Sequence, residues 1–145
     1  MCAVTQSASS PLPASPHASA LARAFAQSHL CREHGREAES AVMLLTSELV
    51  THAVLHGEPP IMVTVDCEVS QIRIAVKDGR LNELGGRSLP DDLSMILIEK
   101  ISRDWGKETQ DGVETIWCTV PTGVIPPRER VRTDNGLSGL DSAGW

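Results

Sequence analysis

Glu48, His52 and His56 stand four residues apart, a carboxylate followed by two imidazoles. On a helix, positions i, i+4 and i+8 share one face. A carboxylate held near a hydroxyl can take its proton. Two imidazoles one turn apart can both reach a zinc ion, so a metal-binding module on Glu48, His52 and His56 is one chemistry that the spacing allows. The H-E-x-x-H arrangement of zinc proteases is absent, because Ala53 follows His52. The other reading is a half-buried polar cluster facing a pocket. Further along, Asp78-Gly79 is either a turn or an acid aimed at a ligand. Asp91 and Asp92 precede an apolar run and suit an N-cap and first helical turn. Cys2, Cys31, Cys67 and Cys118 make no C-x-x-C pair, and scattered cysteines of this kind read as reduced, buried, small apolar residues.

These residues need elements to hold them. A first helix is expected over 16–34, with Leu21, Ala24, Phe25, Ser28 and Cys31 on one stripe and Gly35 as its stop. A second is expected over 36–56, with Ala38, Val42, Leu45, Leu49 and Ala53 at helical spacing. Gly57 ends it and Pro59-Pro60 forbids continuation. Two alternating segments, 61–68 and 71–77, read as a hairpin across Val69-Ser70. A long polar loop spans 78–90. A third helix follows, with Leu93, Ile96, Leu97 and Ile101 inward. Strands over 103–109 and 113–120 flank an Asp111-Gly112 turn. Hairpin-joined strands pair antiparallel, so the helices must share one face of the sheet. The fold class is α/β, a two-layer sandwich with helices on one face of a mixed, mainly antiparallel sheet.

Composition narrows the function. The chain of 145 residues fits one domain with tails: a disordered Ser/Ala/Pro leader over 1–16, a folded unit over 17–121, and a flexible tail over 122–145. One Phe and no Tyr leave an aliphatic core, with Met43, Met62 and Met95 as filler and Trp105 and Trp117 as anchors. A formal net charge of −6 lacks the basic footprint of a nucleic-acid binder. No basic segment opens a secretory signal, and no apolar run approaches the roughly 20 residues that span a bilayer. The expected location is the cytoplasm.

Ser47-Glu48-Leu49-Val50-Thr51-His52-Ala53-Val54-Leu55-His56-Gly57 resembles the N-box of the GHKL ATPase superfamily, which includes gyrase and the histidine kinases. It is most similar to the anti-sigma-factor serine kinases and their actinobacterial relatives, where the pattern is E-L-V-T-N-A-V-x-H-G. The stretches Arg103-Asp104-Trp105-Gly106 and Gly112-Val113-Glu114-Thr115-Ile116-Trp117 resemble the same relatives, and the likeness covers roughly 17–121. It implies a Bergerat-type ATPase fold with ATP and Mg²⁺ as cofactors. It implies Glu48 as general base, a Mg²⁺ ligand at the position of His52, His56 within the N-box, and Asp78 with Gly79 reading adenine. A glycine turn that admits phosphate to backbone N–H groups would fall at Asp92 and Ser94.

Three positions depart from that pattern. Imidazole at His52 is a poor ligand for hard Mg²⁺, which prefers oxygen. Ser94 adds a Cβ where backbone must approach phosphate. Asp92 adds negative charge there, worth roughly 1–4 kcal/mol of repulsion at about 4 Å. Together they predict weak or lost Mg-ATP binding. The resemblance then implies a partner-switching regulator that binds a sigma factor and/or an anti-anti-sigma protein. The alternative it implies is a working ATP-dependent protein serine/threonine kinase. Such relatives often pair as homodimers.

Overall fold

The computed structural model describes residues 6–31, 36–81 and 93–123. In chain order the elements are β1 (Gln6–Leu12), α1 (Ala18–Ser28), α2 (Arg36–His56), β2 (Ile61–Cys67), β3 (Gln71–Leu81), α3 (Leu93–Ile101), β4 (Asp104–Gln110) and β5 (Val113–Pro121). The strands form one open sheet in the order β1-β2-β3-β5-β4, and every pairing is antiparallel. The expected mixed sheet is therefore corrected. β4 runs parallel to β3 but lies beyond β5, which returns through the Asp111-Gly112 turn to sit between them. Both turn residues have positive φ, 54° and 80°, as a tight hairpin of this hand requires.

Alternation along the strands decides which face is covered. Ile61, Val63, Val65 and Cys67 of β2 are buried, and register places Val63 beside Val76, Val65 beside Ile74 and Cys67 beside Ile72. The same face continues through Ile116, Cys118 and Val120 of β5. α2 lies on it, against β2, β3 and β5, while α1 packs on α2 and β1, and α3 on α2 and β4. Among the described residues the result is an α/β fold with three helices over a five-stranded antiparallel sheet.

The opposite face is polar. There Trp117 stands beside Gly106, and a Cβ on that glycine would come within 3.0 Å of the indole. Arg73 places its guanidinium carbon 5.2 Å from the Trp117 ring centre, and its nitrogens lie 3.8 Å from Asp66 and 3.4 Å from Glu108. Glu108 is exposed, and its pair with Arg73 contributes little by itself.

α2 behaves as its spacing predicts: Ala38, Val42, Leu45, Leu49 and Ala53 are all buried. Its segment Glu37–His56 also has the length and mean hydropathy, 1.2, of a membrane span, which corrects the expectation that no segment approaches one. A helix buried in a protein core meets the same test of length and composition.

Several expectations are corrected. Residues 6–12 are not part of a disordered leader. They form edge strand β1, paired from Gln6↔Cys67 to Leu12↔Ile61, with Ser9 and Thr64 hydroxyls 2.8 Å apart. An edge strand needs partners on one side only, so Pro11, which lacks an N–H, is tolerated there. α1 begins at Ala18, and its buried face is Ala18, Ala22 and Ala26, while Leu21 is half exposed. A stripe of methyl groups lets α1 lie close on α2, with Arg23 donating to Ser47 Oγ at 2.6 Å. In α3 the buried residues are Met95 and Ile98, while Ile96 is exposed and Leu97 and Ile101 are half-buried. Met62 points to the open face and is exposed, so it is not core filler. β3 runs on to Leu81, four residues into the expected loop. Thr122 is held by hydrogen bonds to the carbonyl oxygens of Ser70 and Val69, at 3.0 and 2.6 Å, so the folded unit extends past 121. Residues 1–5, 32–35, 82–92 and 124–145 lie outside the described residues.

Candidate functional site

The last three turns of α2 carry Glu48, His52 and His56. Glu48 and His56 are half-buried, and His52 is 5% exposed. The two imidazoles meet with ring centres 4.9 Å apart and planes inclined by 52°. Their contact follows from the i, i+4 spacing on a helix that stays regular to its end. The rise of about 1.5 Å per residue sets Glu48 roughly 12 Å from His56 along the axis.

β3 delivers the next residue. Asp78 lies within the strand, not at a turn, so the turn reading of this position is corrected. Its carboxylate lies against the end of α2: a Cβ added to Gly57 would stand 2.5 Å from Asp78 Oδ2 and 2.7 Å from the Ala53 carbonyl oxygen. Gly57 itself continues the helical pattern by donating to Ala53 O at 2.8 Å. A helix C-terminus is the negative end of the macrodipole, so a carboxylate there gains nothing from it.

Gly79 fastens β3 to the segment after α2. Its N–H donates to the Glu58 carbonyl at 2.6 Å. A Cβ here would collide with the Pro59 carbonyl oxygen and come within 2.8 Å of Pro59 C and Pro60 Cδ. These are backbone and ring atoms that cannot swing aside. Gly79→Ala is therefore expected to destabilise the fold by about 3 kcal/mol, the upper end of overpacking costs, read as a lowered midpoint in denaturant unfolding. A loss below about 0.5 kcal/mol, the size of an ordinary surface substitution, would show that this backbone is not pressed on Gly79.

The site thus brings together His52, His56 and, through Gly57, Asp78, with Glu48 further up the same helix. Ser94 belongs to the first turn of α3, and Asp92 lies outside the described residues. Among the described residues, no three His, Cys, Asp or Glu side chains stand together as a metal-ligand set. His52, which the sequence resemblance aligns with a Mg²⁺ ligand, is an almost wholly buried imidazole. Sequence reasoning did not find the thiol pair Cys31 and Cys67, whose Sγ atoms lie 3.4 Å apart. Their separation of 36 positions gives no local signal.

Two apolar clefts lie away from this group. One of about 240 Å³ is lined by Ser15, Pro16, Ser19, Thr51, Val54 and Leu55. The other, of about 460 Å³, lies between the start of α2, Ile101 and the end of β5. Neither is lined by Glu48, His52 or Asp78. No protein-family model matches the chain, and no curated protein sequence matches it either.

Proposed function

We infer that this protein is a partner-binding regulator of the anti-sigma type, acting in the cytoplasm, in which protein binding has outlasted Mg-ATP chemistry. Its partners are a sigma factor and/or an anti-anti-sigma protein. The observation that carries this reading is the burial of His52 against His56. In the N-box pattern that position holds a carbonyl ligand to Mg²⁺. Imidazole is softer and, packed in this way, leaves little surface for an ion. Glu48 stands further up α2 and Asp78 against Gly57, at opposite ends of the group, an arrangement that supports descent from a nucleotide site whose metal position has been lost.

Titration calorimetry with ATP and Mg²⁺, with ADP as control, tests this directly. The expected result is affinity weaker than about 100 μM, roughly −5.5 kcal/mol, with no thermal stabilisation at millimolar nucleotide. Tighter binding would overturn the reading in favour of a working kinase, and transfer of phosphate to an antagonist Ser or Thr would then be measured. The partner claim has its own test: a purified sigma factor or antagonist should be retained equally with and without nucleotide. Retention that requires ATP would contradict it.

A further inference from the structure

We propose that Cys31 and Cys67 are a modification site: a thiol pair that closes to an intramolecular disulfide when the protein meets a peroxide. Cys67 is the last residue of β2, wholly buried and locked in register with Gln6 and Ile72. Cys31 lies beyond the end of α1, outside the regular elements, and is half-buried against the core. Neither is joined in a disulfide, and their sulfur atoms stand 3.4 Å apart. A disulfide needs about 2.05 Å, so the sulfurs have little further to travel. The ladder holds Cys67 in place, and Cys31 makes the approach.

Exposure sets the order of steps. Peroxide reaches Cys31 first, because Cys67 has no accessible surface. The Cys31 thiolate attacks one peroxide oxygen, the O–O bond breaks, and the departing hydroxide takes a proton to become water. Cys31 is then a sulfenic acid. The Cys67 sulfur attacks the Cys31 sulfur, the S–O bond breaks, and the leaving hydroxide takes the Cys67 thiol proton as a second water. Two thiols lose two electrons and two protons, and one peroxide becomes two waters. A dithiol reductant reverses the change by thiol–disulfide exchange. The bond ties the end of α1 to the sheet between edge strand β1 and β3. Cys118 supplies an internal contrast. It is buried, with its thiol pushed up to about 12 by burial despite the nearby Arg73 charge, and its neighbours across the ladder are Ile74 and Trp105, neither of which carries a thiol.

The experiment uses the whole chain at pH 7.5 with excess hydrogen peroxide, followed by alkylation in denaturant and non-reducing tryptic mapping. Free thiols are expected to fall from the four present to two. Peptide 24–32 should appear linked to peptide 37–73, and dithiothreitol should separate them. Cys67→Ala should leave Cys31 as a sulfenic acid that dimedone captures, and Cys31→Ser should abolish the link. Disulfides that engage Cys2 or Cys118, dimers joined between chains, or thiols untouched at doses that oxidise glutathione would each overturn the proposal. The mapping on the unaltered chain decides the matter even if a variant does not fold.

Discussion

The triple variant His52→Asn/Asp92→Gly/Ser94→Gly is expected to bind Mg-ATP at least about tenfold more tightly than the unaltered protein, a gain of about 1.4 kcal/mol or more. Each change removes a separate obstacle. Asn at position 52 replaces a buried imidazole, 4.9 Å from the His56 ring, with a side-chain carbonyl oxygen suited to a hard cation. On the resemblance's alignment of Asp92 with the glycine turn, Gly there removes a negative charge whose repulsion of phosphate would be worth roughly 1–4 kcal/mol at about 4 Å. Gly at 94 removes a Cβ and frees the first turn of α3 to approach an anion. The His52→Asn variant alone should gain less, because the charge at 92 remains. Calorimetry is the readout, with thermal unfolding as a check that the fold survives. An affinity equal to that of the unaltered chain would place the glycine turn elsewhere in the sequence and remove two of the three reasons for lost nucleotide binding.

Leu45→Ala is expected to lower the unfolding free energy by about 3–4 kcal/mol, within the range for fully buried leucines, and the melting temperature by about 10 °C. Leu45 is inaccessible on α2, the helix that touches α1, α3 and three strands. A shortened side chain there leaves a cavity that no single neighbour can fill. The adjacent residue gives the control. Leu44 is 40% exposed, so Leu44→Ala should cost under about 1 kcal/mol, since part of its surface is in water already. Both would be measured by chemical denaturation. Equal losses at 44 and 45 would mean that α2 is not seated on the sheet by the face described.

The candidate site was partly legible because most of it lies on one regular helix. Spacing alone set Glu48, His52 and His56 on one side of α2, and the helix ends at His56, just before Gly57. What spacing could not reveal was the depth of His52, or that Asp78 sits inside a strand with its carboxylate against Gly57. Both depend on how the end of β3 meets the end of α2, which no local pattern encodes. The thiol pair was invisible for the same reason.

The sequence by itself determined the order of helices and strands from α2 onward, the inward stripe of α2, the β2–β3 hairpin and the Asp111-Gly112 turn. Each depends on periodicity or backbone preference over a few residues, and local energetics settle such features. The tertiary structure alone decided the rest. Residues 6–12 become a strand because β2 offers a free edge to pair with. α1 turns Ala18, Ala22 and Ala26 inward, and leaves Leu21 in water, because the space beside α2 admits methyl groups. β5 enters between β3 and β4 and makes the whole sheet antiparallel. These outcomes belong to partners far apart in the chain, whose surfaces exist only once the fold has formed.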